Sequence, residues 1–216
     1  MSSREVKIYS RFERFWHWSQ MGLIVTLLIS GFGLRGTLPV LSFNQAVLIH
    51  TSCALLLIGL WVFAVFWHLT TGTWRHYTPT VNGLIAVIRF YAIGILRGER
   101  HPYRKAYWRK HNPAQALTYL ALKLVIFPTI WISGLAYLLY PLWEGWVSSA
   151  LALTLVATIH VLAAAAILMF IVIHVYLLTI GGMWHHIKPM ITGFDEVDLS
   201  NEEAAYLEQD EPDLIR

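Results

Sequence analysis

Two histidines, His160 and His174, lie on one apolar stretch, residues 147–180, that contains no charged side chain. Fourteen helical steps of ~100° return almost to the starting azimuth and advance ~21 Å along the axis. A single helix would therefore present two nitrogen ligands on one face, at two depths of a bilayer. Polar rings inside hydrocarbon are costly unless they bind something or bond to a neighbour, so both are candidates for chemistry. Two further histidines, His17 and His50, also fall in apolar runs. Whether the four can act together depends on the helices that carry them.

The 216 residues are 56% hydrophobic and only 13% charged, with a mean hydropathy of +0.53, a composition that belongs to membrane proteins. The pattern predicts an all-α membrane protein with four spanning helices, over residues 15–34, 46–67, 114–140 and 148–180. The fourth is longer than a bilayer needs and should tilt or protrude. Pro128 should kink the third. The apolar segment 81–96 contains Arg89 and is short for a span, so it is expected to lie in the interface between helices two and three. The breakers Gly36, Pro39, Gly72, Pro141, Gly145, Gly181 and Gly182 mark the ends.

Lysine and arginine set the orientation. The N-terminal segment carries Arg4, Lys7, Arg11 and Arg14. The loop between helices two and three carries Arg75, Arg89, Arg97, Arg100, Arg104, Lys105, Arg109 and Lys110. The other two loops offer only Arg35. The positive-inside rule then predicts a multi-pass protein of the bacterial inner membrane with both termini cytoplasmic. These charges read as orientation signals and contacts with anionic lipid, not as a nucleic-acid surface. Trp143 and Trp146 suit one interface, and Trp16, Trp18, Trp67 and Trp74 the other. The N-terminal segment is expected not to be a cleaved leader. Of 13 acidic residues only Glu5, Glu13, Glu99 and Glu144 precede Thr192. The chain therefore divides into a membrane domain, residues 1–180, and an acidic cytoplasmic tail, residues 181–216, expected to be a solvated end. Cys53 is the single cysteine, which excludes an intrachain disulfide and a Cys-x-x-Cys-His haem attachment; it reads as a small packing residue.

Orientation sorts the histidines by depth. His17 opens helix one on the cytoplasmic side, and His50 begins helix two on the periplasmic side. His160 falls in the outer half of helix four and His174 in its inner half. The depth-matched pairs are His17 with His174, and His50 with His160. Two facing imidazoles can hold the iron of a b-type haem from both sides, leaving no open position, so such a haem carries electrons and binds no oxygen. Zinc fits less well, because each layer offers two histidines and the spans offer no carboxylate. Hydrogen-bonded packing between helices is the alternative role, and would suit a transporter or a structural anchor. His68, His76, His101, His111, His185 and His186 fall at helix ends or in loops and receive no ligand role. Small residues at Ser30-Gly31-Phe32-Gly33, Gly59, Ser133-Gly134 and Ala163–Ala166 allow close approach of a backbone or a porphyrin. Arg11 and Arg14 could pair with the propionates of the inner haem and Arg35 with those of the outer, or serve as orientation charges. Lys123, two turns into helix three, either snorkels or serves a proton path or a propionate.

At these residues the chain resembles the prokaryotic di-haem cytochrome b subunits of respiratory complexes: formate dehydrogenase gamma, the cytochrome b of nickel–iron hydrogenases and thiosulfate-reductase cytochrome b, within the cytochrome b five-sixty-one superfamily. The resemblance is carried by Arg14-Phe15-Trp16-His17-Trp18, Ser30-Gly31, His50, His111-Asn112-Pro113-Ala114-Gln115-Ala116-Leu117 and His160/His174. It implies two haem b groups on the same pairs reached by depth, and a quinone site beside the inner haem at Asn112, Ala114 and Gln115. For Asn112 the plain alternative is a helix cap. The implied function is electron transfer across the membrane between the quinone pool and a periplasmic iron–sulfur or multihaem cytochrome subunit of a respiratory oxidoreductase. The rival is a stand-alone cytochrome b that oxidises a small donor such as superoxide and reduces quinone by itself.

Overall fold

A computed structural model describes residues 2–99, 102, 111–145, 149–180 and 182–215. Arg100, His101, Arg104, Lys105, Arg109, Lys110, Trp146 and Gly181, all named above, lie outside the described residues. The described elements are β1 (Ser2–Lys7), α1 (Arg11–Leu34), α2 (Phe43–Thr71), a 3-10 turn (Thr73–Tyr77), α3 (Leu84–Arg89), α4 (Pro113–Ala121), α5 (Phe127–Leu138), α6 (Tyr140–Trp143), α7 (Ser149–Ile180), α8 (Met183–Thr192), β2 (Phe194–Leu199) and α9 (Asn201–Asp210). Four helical segments are long and apolar enough to cross a membrane: Arg11–Leu34, Phe43–Thr71, Pro113–Leu138 and Ala150–Ile180. Those are the four spans expected, with α1 and α2 extended by about one turn at their ends.

The helix starts are written locally. Ser10 and Glu13, Ser42 and Gln45, Asn112 and Gln115, and Ser200 and Glu203 each form a reciprocal pair. The first side chain accepts the backbone N–H three residues on, and the second accepts the N–H of the first. Each pair satisfies two donors that a helix start leaves open. The third span is continuous from α4 into α5 through a π-helical turn, Leu122–Ile126. Pro128 explains it: the proline ring crowds the carbonyl four residues earlier and donates no N–H, and one extra residue in the turn relieves both. Lys123 sits in this widened turn, half-buried. Segment 81–96 is a broken helix: α3 gives way to a π turn at Phe90–Gly94 and a 3-10 turn at Ile95–Arg97. It lacks the length of a span, as expected.

The chain folds as two compact units. One comprises Met1–His17, Val65–Tyr119 and Leu178–Arg216; the other comprises Trp18–Ala64 and Leu120–Leu177. The first unit corrects the expected solvated tail. β2 pairs antiparallel with β1, from Ser2 opposite Leu199 to Lys7 opposite Phe194. Val6, Val197, Leu199, Ala204 and Leu207 form a small core beneath the pair. The apolar residues of this acidic segment recur at strand and then helix spacing, and strand β1 supplies the missing partner face. Two of its carboxylates meet cations as well. Glu5 and Glu196 stand directly opposite each other, which alone would repel. Lys188 bridges them at 3.1 and 3.2 Å, and Arg4 meets Glu208 at 3.3 Å. Because β1 precedes the first span and β2 follows the last, the pairing holds both ends on one side of the membrane. An even number of crossings follows, so segment 81–96 does not cross.

Candidate haem site and the helix-three entry

His50 on α2 and His160 on α7 face each other in the second unit, with ring centroids 6.2 Å apart and planes inclined at 66°. Both rings are half-buried. Each is held by a serine of another span. Ser30 Oγ lies 3.0 Å from His50 Nδ1, and Ser133 Oγ lies 3.1 Å from His160 Nδ1. Each serine donates its own proton back along its helix, Ser30 to Thr26 O at 2.8 Å and Ser133 to Thr129 O at 2.6 Å. With the serine proton on its carbonyl, the oxygen accepts from the imidazole, and the backbone carbonyls of Leu27 and Ile130 also bond the His50 and His160 rings; a protonated Nδ1 fits these contacts. In that tautomer both Nε2 atoms keep their lone pairs for a ligand.

A glycine follows each serine. A Cβ at Gly31 would lie 3.4 Å from His50 Cε1, and one at Gly134 would lie 3.1 Å from His160 Cε1. The Cε1–Nδ1 edge of each imidazole thus lies close to bare backbone. Gly33 serves helix packing, with a Cβ there meeting Ala46 at 3.6 Å, whereas Gly59 has no protein atom within 4 Å of a Cβ. Trp61, Phe127 and Trp131 form an aromatic cluster in the same unit, with centroids 5.0 to 6.0 Å apart.

The donor set fits a haem. A metal held about 2 Å from one nitrogen of each ring puts the two centroids about 6 Å apart, once about 1 Å from nitrogen to ring centre is added on each side. The observed separation is 6.2 Å. The second shell that fixes ligand orientation is also in place. Among the described residues no cluster of three or more His, Cys, Asp or Glu forms, so a four-ligand zinc site has no donors there.

Counted along the helices, Ser30 is 19 residues from Arg11 (30 − 11) and His50 is 21 from Thr71 (71 − 50). Ser133 is 20 from Pro113 (133 − 113), and His160 is 20 from Ile180 (180 − 160). His17 and His174 lie six residues from the same ends (17 − 11 and 180 − 174). His17 is half-buried in the first unit; His174 is half-buried in the second, where it stacks on Phe170 at 5.6 Å.

In the first unit Asn112 is buried and caps α4. Its Oδ1 accepts from Gln115 N at 2.9 Å, its Nδ2 donates to Tyr91 OH at 3.0 Å, and Gln115 Oε1 accepts from Asn112 N at 3.1 Å. The cap uses the amide oxygens, so Gln115, exposed at the helix start, has its NH2 to offer a carbonyl ligand. Burial raises the Tyr91 phenol above its ordinary range, against the lowering effect of Asn112. Arg14 donates from Nη1 to Ile191 O, closing the end of α8, while its buried Nε has no hydrogen-bond partner among the described residues. Arg11 and Arg35 are exposed at the two ends of α1.

A polar cluster that the sequence left without a role lies beside this entry. Glu13 is 3% exposed; one carboxylate oxygen completes the Ser10 cap and the other accepts from Tyr77 OH. The Tyr77 ring meets His68 at 5.4 Å and His111 at 5.1 Å, and His111 meets Tyr119 at 4.6 Å. Burial, followed by the Glu13 charge, holds the Tyr77 phenol well above its ordinary range. The Ser-x-x-Glu spacing at residue 10 was a legible sign of the cap, but nothing local marked Tyr77, which is 64 residues away.

Comparison with known proteins identifies the family. The family model described as "Prokaryotic cytochrome b561" matches residues 8–193. The chain is 33% identical over 199 residues to "Putative cytochrome YdhU" of Escherichia coli (strain K12), covering 88% of this chain and 74% of that one. No solved structure matches. From the apolar spans, the facing imidazoles and this match over most of its length, the chain belongs to the prokaryotic cytochrome b561 family, integral membrane helical bundles that bind haem b and transfer electrons.

Proposed function

We propose that this protein is the di-haem membrane subunit of a respiratory oxidoreductase, carrying electrons across the bacterial inner membrane between the quinone pool and a periplasmic iron–sulfur or multihaem cytochrome partner. The observation that carries the reading is the His50–His160 pair, poised with both Nε2 atoms available. His17 and His174 are the second ligand pair on this reading, each six residues along its own helix from Arg11 and from Ile180. Both termini are cytoplasmic on this reading, since the arginine-rich segments share their side. A bis-imidazole haem supplies one-electron exchange without an open coordination position.

The quinone end is assigned to the start of α4. Reducing a quinone takes two electrons and two protons to its two carbonyl oxygens. Gln115 and Tyr91 offer donors there, and Asn112 fixes both in place. Glu13, Tyr77, His68 and His111 are the proton-bearing groups beside it. Arg14 is the cation for an inner propionate through its unpaired Nε. Arg11 is a further candidate for that end and Arg35 for the outer one. The stand-alone superoxide-oxidising reading has no observation that favours it.

The test is haem content by pyridine haemochrome, together with quinol oxidation, on histidine variants of the purified full chain. His50→Ala and His160→Ala should each remove one haem and leave the other. His17→Ala and His174→Ala should remove the other haem together with quinone reactivity. Two haems retained in all four variants would end the assignment.

A further inference from the structure

The two Ser-Gly dipeptides do more than let helices approach. We propose that Ser30-Gly31 and Ser133-Gly134 are paired braces that fix the ring planes of His50 and His160 and set the electronic state of the haem between them. This rests on the assignment of His50 and His160 as ligands.

Three features support it. Each serine is buried, 0% exposed at Ser30 and 5% at Ser133, and each hydroxyl proton is committed to a backbone carbonyl. The oxygen can then only accept, and a hydroxyl that donates onward is a better acceptor. Each following glycine leaves just enough room for the same ring, since a Cβ there would stand 3.4 or 3.1 Å from Cε1, so the imidazole has a hydrogen bond at Nδ1 and a close backbone beside Cε1. The device occurs twice, on different spans, at nearly the same distance: 3.0 and 3.1 Å.

The consequence is the angle of 66° between the two rings. Parallel imidazole planes split the iron dπ orbitals and give an ordinary rhombic low-spin ferric signal. Planes near perpendicular leave those orbitals nearly degenerate and give a strongly anisotropic signal dominated by one large g value. The Nδ1–H bonds also make both imidazoles more basic, which favours ferric iron. The braces therefore hold this haem in the anisotropic state and lower its potential.

The experiment uses the purified full-length haem protein: electron paramagnetic resonance of the ferric form, a redox titration of each haem, and haem content. The variants are Ser30→Ala, Ser133→Ala and the hydroxyl-retaining Ser30→Thr and Ser133→Thr. Each alanine variant should collapse the large-g signal of the outer haem toward the rhombic type. Its ferrous-to-ferric ratio at fixed potential should rise roughly three- to tenfold, as loss of one hydrogen bond implies; tenfold is about 59 mV for a one-electron couple. The inner haem should not change, and threonine should restore both properties. Loss of the outer haem in alanine but not threonine variants also supports the braces. Unchanged signal and potential at full haem content would overturn them, as would equal haem loss in alanine and threonine variants. If His50→Ala and His160→Ala keep both haems, the ligand assignment falls and takes the braces with it. That failure is told apart because it appears in the histidine variants.

Discussion

Gly134→Ala is the substitution whose outcome the geometry sets most sharply. A Cβ at residue 134 would stand 3.1 Å from His160 Cε1 and 3.5 Å from Nδ1; one at Gly31 would stand 3.4 and 3.8 Å from the matching atoms of His50. Carbon atoms pack best at about 3.5–4.0 Å, so Gly134→Ala pushes the His160 ring by about 0.4 Å while Gly31→Ala asks for about 0.1 Å. Metal–nitrogen distances tolerate about 0.2 Å. The first displacement exceeds that tolerance and the second does not. Against this, replacing glycine in a helix interior by alanine favours the helix by about 0.8–1 kcal/mol, and overpacking costs about 1–3 kcal/mol. Gly31→Ala should therefore be neutral or slightly stabilising with haem retained. Gly134→Ala should lose up to about 2 kcal/mol by the same balance and release the haem proposed between His50 and His160 faster. The assay is haem transfer to an excess of apomyoglobin, followed in the Soret band, with thermal melting of the same samples. If Gly31→Ala releases haem as fast as Gly134→Ala, or faster, the imidazoles do not rest on these two backbones.

Two further outcomes follow from the terminal unit. Leu207 is fully buried in its core, so Leu207→Ala should cost the β1–β2–α9 assembly about 2–4 kcal/mol. Amide exchange of β2 should accelerate while the haem spectrum stays the same; an altered spectrum would mean that the terminal assembly supports the proposed haem site. The same unit should loosen at high pH. Tyr9 and Tyr77 are held above the ordinary phenol range, mainly by burial, and Lys188 is held above the ordinary amine range by hydrogen bonds to Glu5 and Glu196. All three keep their protons longer in the fold than in the unfolded chain. Their contribution is thus complete below about pH 10, where the unfolded groups are still protonated, and is lost as pH rises through the folded values. Tyrosinate absorbance and β2 exchange should rise together above about pH 10. Loosening on acidification through neutral pH would contradict this sign.

What the sequence disclosed depended on the range of the interaction. The spans were legible because long apolar runs of helical length have one stable environment, and the cap at Asn112 because its partner is three residues away. Ser30-Gly31 and Ser133-Gly134 were legible as small residues but not as acceptors for Nδ1. That role depends on which face of one span meets which face of another, 20 and 27 residues along the chain. The acidic C-terminal segment was misread for a related reason. Its residues alternate between buried and exposed along β2, yet charge dominates its composition. The strand that completes it lies at the other end of the chain. Glu13 with Tyr77 is a third case, a carboxylate whose local cap was visible and whose distant phenol was not.

The placement of the braces also bears on how such rings enter a membrane at all. An imidazole in hydrocarbon with an unmet N–H costs several kcal/mol, by about the same argument that confines spanning chains to helices and closed barrels. Here α1 and α2 form one sequential helix pair, and the third span and α7 form another. In each pair the first helix carries Ser-Gly and the second carries the histidine. Each ring can therefore be satisfied at Nδ1 within its own helix pair, before the other pair is present. Only Nε2, an acceptor rather than a donor, is left to await the iron. Had the serines been on the helices of the opposite pair, neither ring could be settled until all four spans had met. The order of residues along the chain thus prepares each ligand locally and leaves to assembly the one bond that needs both.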